Sequence, residues 1–146
     1  MFPLEKIQQA HQRIKDVVVH TPFSYAPFLS GESGVEVFLK KENLQVTGAF
    51  KLRGAFNKIA SLSDAERAQG VVAASAGNHA QGVAYSAQHF GIKAVIIMPD
   101  STPLTKVNGV RHFGAEVILA GNNYDEAYAY ATKYGEENSL VFVHPF

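Results

Sequence analysis

Leu4, Ile7, His11, Ile14 and Val18 follow one another at spacings of three and four. That is the stripe of one helical face over residues 3–18, with Pro3 suited to a first turn. His20-Thr21-Pro22 ends the stripe, because the residue before a proline avoids the helical region. A loop rich in Ser, Gly and Pro follows, and residues 35–40 (VEVFLK) alternate imperfectly, as a strand would. From residue 71 the pattern sharpens. Four short β-like runs lie at 71–74, 94–98, 116–119 and 140–143. Their markers Val71, Val95, Val117 and Val141 recur every 24, 22 and 24 residues. Helical stretches separate them at 79–90, 104–113 and 124–137. Ser63-Asp64-Ala65-Glu66 is a capping-box signature for one further short helix.

Strands alternating with helices at this spacing predict successive βαβ units. The fold class is α/β: a three-layer open parallel sheet with helices on both faces. The helical segments share no signature with one another, so this is not a solenoid. Ligands of such sheets sit beyond the carboxyl ends of the strands. That directs attention to the loops at 75–79, 99–103, 120–125 and 144–146.

Composition narrows the function classes. The chain has 146 residues, of which 47% are hydrophobic, enough for one domain with a real core. Charged residues are 18%, below the roughly 25% of a typical soluble chain. Such a deficit predicts surface that is covered by something else. Lys plus Arg and Asp plus Glu number 13 each, so no strong field attracts nucleic acid or an anionic membrane. Without cysteine there is no disulfide, thiolate zinc site, iron–sulfur cluster or Cys nucleophile, which fits a cytoplasmic protein. The opening residues Met1-Phe2-Pro3-Leu4-Glu5-Lys6 carry no signal-peptide pattern. The longest strongly apolar stretch, residues 94–98, is far short of the roughly 20 residues of a membrane helix.

Two segments offer chemistry. Ser75-Ala76-Gly77-Asn78-His79 follows a strand and opens a helix. Small residues let a ligand approach the backbone, and free N–H groups with the helix dipole favour an anion there. Asn78 adds an amide and His79 a titratable ring. A plain βα turn capped by Asn78 explains the same residues. The G-x-G-x-x-G, P-loop and G-x-S-x-G patterns are all absent. In the second segment, Thr47-Gly48-Ala49-Phe50-Lys51-Leu52-Arg53-Gly54-Ala55, Lys51 stands between two large apolar residues. A lysine held away from water loses its proton more readily, and a neutral amine attacks carbonyls to form a Schiff base. An exposed lysine opening a helix that runs to about residue 60 is the plain alternative.

The remaining candidates are bland. The six histidines form no metal-binding pair, so no metal is expected. Asp125 and Glu126 suit a helix start, Lys40 and Lys41 an exposed strand end. Tyr124, Tyr128, Tyr130 and Tyr134 suit packing or an interface.

Taken together, Lys41-Glu42-Asn43-Leu44-Gln45 with the segment from Thr47 to Ala55 closely resembles the cofactor-lysine segment of threonine dehydratases. Ser75-Ala76-Gly77-Asn78-His79-Ala80-Gln81-Gly82 resembles their asparagine loop. Met98-Pro99, Thr102-Pro103, Lys106, Gly114-Ala115-Glu116-Val117 and Gly121 fall in the same order. The resemblance spans nearly the whole chain. It points to the threonine/serine dehydratase and serine racemase branch of the fold-type II pyridoxal-phosphate (PLP) enzymes.

By that resemblance Lys51 is the catalytic lysine that holds PLP, Phe50 flanks the pyridine ring, and Asn78 bonds the ring hydroxyl. Ser75, Ala76, Gly77, Asn78 and His79 receive the substrate carboxylate. The implied reaction is β-elimination of L-threonine to 2-oxobutanoate and ammonia, in isoleucine biosynthesis or threonine catabolism. Serine racemases carry a second serine where this chain has Ala76, so elimination is favoured over racemisation. The alternatives are an L-serine dehydratase, a serine racemase, or a non-catalytic truncated α/β domain.

Family members are more than twice as long, so the chain is expected to be an inactive N-terminal fragment. Residues 1–50 would belong to the larger domain. Residues 51–146 would form the smaller one, with the cofactor lysine and asparagine loop. The full-length protein is expected to be a cytoplasmic homo-oligomer acting on a small amino acid, with no nucleic-acid or membrane partner.

Overall fold

The structure is a computed structural model and describes residues 3–146. The signal-peptide reading rests partly on Met1 and Phe2, which lie outside the described residues. In chain order the elements are α1 (Leu4–Ile14), β1 (Phe23–Tyr25), α2 (Pro27–Ser33), β2 (Phe38–Lys40), a 3-10 turn (Glu42–Leu44), α3 (Lys51–Ala60), α4 (Asp64–Gln69), β3 (Val71–Ala74), α5 (Asn78–Phe90), β4 (Ala94–Met98), α6 (Leu104–Arg111), β5 (Glu116–Leu119), α7 (Tyr124–Glu137) and β6 (Val141–Phe142).

The main sheet runs β5-β4-β3-β6, with every pairing parallel. β3 and β4 are buried along their whole lengths, as expected for central strands covered on both faces. Side chains of a strand alternate between faces, and the core divides accordingly. Val71, Ala73, Ala94, Ile96 and Met98 pack with residues of α3, α5 and α6. Val72, Ala74, Val95 and Ile97 pack against Ala127 and Ala131 of α7. Helices therefore cover both faces, giving the three-layer α/β fold. No helix among the described residues is long and apolar enough to cross a membrane.

The topology fixes where a ligand can sit. The chain steps outward from β3 through β4 to β5, then returns along α7 to place β6 on the other side of β3. The carboxyl ends of β3 and β6 thus form the point where the winding reverses, and there a crevice opens. α3 lies tight against α5. A Cβ placed on Gly82 would meet the Ala55 Cβ at 3.2 Å and the Leu52 backbone at 3.3 Å. Glycine at that position lets the two helices approach closely.

Before residue 50 the structure departs from the sequence pattern. The first helix stops at Ile14, whose carbonyl accepts from both Val17 and Val18 N–H groups. The β-branched run of Val17, Val18 and Val19 disfavours continuing the helix. Ile14 packs with Leu52 and Phe56, whereas Leu4 and Ile7 of the same stripe are exposed. The expected Ser/Gly/Pro loop instead holds β1 and α2. Pro27 opens α2, and Gly34 closes it in a left-handed conformation at φ 72°. That is the usual proline-start, glycine-stop asymmetry. The strand expected over 35–40 shortens to Phe38–Lys40, because Val37 is engaged with α2: its N–H donates to Ser30 Oγ and its carbonyl accepts from Ala26. β1 and β2 pair as a separate antiparallel ribbon, with Phe23 stacked on Phe38 at 5.5 Å.

Candidate active site

Lys51 opens α3. The turn before it depends on Gly48, whose φ of 69° lies in the left-handed region and whose N–H donates to the Gln45 carbonyl at 2.8 Å. The turn delivers the half-buried Lys51 side chain to the reversal point of the sheet. Its Nζ donates to the Pro145 carbonyl at 2.7 Å, just after β6. It also lies 5.7 Å from the ring centroids of both Phe50 and Phe146, within range of a cation–π attraction. The amine stands in a cleft of about 670 Å3, whose walls include Phe50, Lys58, His79, Phe142 and His144.

The loop after β3 supplies the second part. Ser75 Oγ accepts from the Gly77 N–H at 3.2 Å, and Gly77 caps α5 with no side-chain cap bond. The first N–H groups of a helix have no partner within it, so the exposed Asn78 begins a helix end that can receive an anion.

His79 is 6% exposed. Its Nε2 lies 2.9 Å from the Val143 carbonyl. A carbonyl can only accept, so Nε2 carries the hydrogen. Burial holds the His79 pKa below the ordinary value of 6.5; the carbonyl partner opposes this, and the neighbouring Lys51 and His144 add to it. The ring is kept neutral and faces the strand end as a donor.

The expected site residues therefore divide into two groups. Phe50, Lys51 and His79 line the cleft, whereas Ser75, Ala76, Gly77 and Asn78 stand beside it without lining it. Sequence reasoning missed Lys58, Phe142 and His144 as walls. Lys58 carried a signal: it lies seven residues from Lys51, on the same helical face. His144 and Phe146 fall in one of the strand-end loops already singled out. Of the residues expected to be bland, Lys40 is engaged: its Nζ donates to the Thr21 carbonyl at 2.6 Å. Glu126 joins the cap of α7, its carboxylate accepting from the Asn122 N–H while its own N–H donates to Asn123 Oδ1. Tyr128 and Tyr134 pack on the α7 side of the sheet, and Tyr130 stacks on Tyr134.

Chemically, the cleft offers a primary amine, flat aromatic walls and a neutral imidazole, beside a helix N-terminus suited to a carboxylate. An aldehyde attached to a planar ring fits this set.

The family described as pyridoxal-phosphate dependent enzyme matches residues 14–146. The L-threonine ammonia-lyase of Thermotoga maritima is 56% identical over 146 residues, which are 100% of this chain and 36% of that protein. Among solved structures, threonine deaminase isoform 2 from Solanum lycopersicum superposes with a TM-score of 0.88 at 39% identity, covering 99% of this chain and 41% of that one. Maize serine racemase superposes with a TM-score of 0.92 at 35% identity, covering 98% and 44%. The chain spans about 36% of the length of the Thermotoga relative.

Proposed function

Because this chain belongs to the family of pyridoxal-phosphate dependent enzymes, we propose that the protein it represents carries out β-elimination on L-threonine, with Lys51 as the lysine that holds PLP: the Cα proton and the β-hydroxyl leave as water, and hydrolysis of the resulting enamine gives 2-oxobutanoate and ammonia. The observation that carries this reading is the placement of the Lys51 amine. It stands between two aromatic rings in a cleft at the point where the sheet winding reverses.

Bound PLP supplies the electron sink that stabilises negative charge at the substrate Cα. This chain's residues do the rest. Lys51 Nζ would hold the aldehyde carbon and would be the base for the Cα proton. Phe50 would flank the pyridine ring. Asn78 would bond the ring hydroxyl, and the backbone of residues 75–79 would hold the substrate carboxylate at the N-terminus of α5. Holding the carboxylate fixes the direction of the Cα–H bond, and orientation of this kind contributes several kcal/mol to the rate. Ala76 carries no transferable proton, which favours elimination over return of a proton to Cα. We infer further that residues 1–50 belong with a larger domain and 51–146 form the smaller one, in a cytoplasmic homo-oligomer. L-serine is a second substrate of the same chemistry.

The test is chemical trapping. The complete enzyme is incubated with PLP, reduced with borohydride, digested and analysed by mass spectrometry. Pyridoxyl label should concentrate on Lys51 over Lys58, which shares the cleft. Equal labelling of the two would overturn the reading.

A further inference from the structure

Lys51 follows a loop that is anchored at both ends to the same stretch of chain. At the near end, Gln45 is 4% exposed and braces Val19 twice: its Oε1 accepts from the Val19 N–H at 2.8 Å, and its Nε2 donates to the Val19 carbonyl at 3.1 Å. At the far end, two residues beyond Lys51, the Arg53 guanidinium engages both oxygens of Glu42. Nε donates to Oε2 and Nη2 to Oε1, each at 2.8 Å. Nη2 also reaches the Val19 carbonyl at 3.3 Å. The fully buried Thr21 donates its hydroxyl to Glu42 Oε1 at 2.5 Å. Residues 46–52 thus span two fixed points, Gln45 and Arg53, and Lys51 lies between them.

We propose that the Glu42–Arg53 pair is a positioning device that sets where the Lys51 amine stands in the cleft. The inference rests on the reading of Lys51 as the PLP lysine. Paired two-fold bonds between guanidinium and carboxylate fix orientation as well as distance. A lysine at 53 would keep the charge but lose the fork. Arg53 holds the Glu42 carboxyl down to about 2, with desolvation opposing and Thr21 assisting, so the pair stays ionised throughout the neutral range. The geometry of an attacking group matters steeply, since a misplacement of about 1 Å can cost a hundredfold in rate.

The trapping ratio of Lys51 to Lys58 reads position directly and needs no turnover. It is measured in the complete enzyme, in its wild-type form and as Arg53→Lys, Glu42→Gln and the milder Thr21→Val, with folding followed by circular dichroism. Arg67→Lys serves as a control. Arg67 bridges the carbonyls of Ala60 and Leu62 at the far end of α3, so its loss costs stability without touching the anchored loop. The ratio should fall about tenfold in Arg53→Lys and Glu42→Gln, by less in Thr21→Val, and not at all in Arg67→Lys. An unchanged ratio in folded Arg53→Lys and Glu42→Gln overturns the proposal, as does an equal fall in Arg67→Lys. If neither of the first two variants folds, Thr21→Val decides in the same way. A wild-type ratio near one removes the PLP reading itself, and the role of the pair with it.

Discussion

The imidazole of His79 meets the carbonyl of Val143 at 2.9 Å, tying the first turn of α5 to the end of β6. This bond joins two of the elements that line the cleft. The ring is buried and can make it in its neutral form.

A pH dependence of stability follows. The folded-state pKa of His79 is lowered from 6.5, by burial above all. The unfolded chain therefore takes up a proton more readily than the folded one. Stability from this residue is complete above the unfolded value and is lost as pH falls through the lower, folded value. Urea midpoints should drop between pH 8 and pH 5.5 in the wild type. His79→Gln, which keeps a donor without a titrating ring, should flatten that drop while lowering the midpoint at pH 8. An equal drop in both proteins would show that other groups dominate.

Gly82 gives a prediction of unusual sign. In an ordinary helix interior, Gly→Ala stabilises by about 1 kcal/mol. Here the added methyl meets the Leu52 backbone at 3.3 Å and the Ala55 methyl at 3.2 Å, and backbone cannot swing aside. Overpacking costs of about 1–3 kcal/mol are typical. Gly82→Ala should therefore lower the urea midpoint and also reduce PLP trapping at Lys51, because α3 carries that residue. A higher midpoint would show that the helices separate freely.

Much of this architecture is legible in the sequence, for identifiable reasons. β3 and β4 are buried on both faces, so they appear as unbroken apolar runs, and the capping box at Ser63 and Glu66 is local chemistry. Lys51 and His79 stand out because their segments join small residues to reactive ones. In the N-terminal ribbon, β2 falls within the strand expected over 35–40, whereas β1 was obscured, because its three residues bury no complete face and leave Phe23 and Tyr25 exposed. Phe142 and His144 as cleft walls, and the bond from Lys51 to Pro145, are contacts across 91 to 94 positions that no local pattern encodes.

Ala76 tests the direction of the reaction. It is partly buried against the core on the α5 side of the sheet, in the loop proposed to receive the substrate carboxylate. In the complete enzyme, Ala76→Ser would introduce a hydroxyl able to give a proton to Cα. Chiral chromatography after incubation with L-serine should then find D-serine rising relative to pyruvate. The unsubstituted enzyme should yield mainly pyruvate, and comparable D-serine without the substitution would show that another group supplies the proton.

The 146 residues by themselves should not turn over threonine. The phosphate of PLP carries close to two negative charges at neutral pH, and leaving them poorly paired in a closed site is costly. Within the cleft, Lys51 would be committed to the aldehyde and Arg53 is committed to Glu42, which leaves Lys58 to face both charges. The rings beside the amine are open to solvent, Phe50 at 60% and Phe146 at 95% exposure, so water reaches the reacting centre and competes there. The sheet itself is covered on both faces within this chain, by residues of α3, α5 and α6 on one side and of α7 on the other. Circular dichroism of the purified chain should show helix and sheet, with weak PLP uptake that does not saturate in the micromolar range. Joining the chain to the remaining length found in its relatives should make binding saturable and restore 2-oxobutanoate formation. Saturable micromolar binding and threonine deamination by the 146 residues alone would mean that these two helices and two strand ends already form a complete active site.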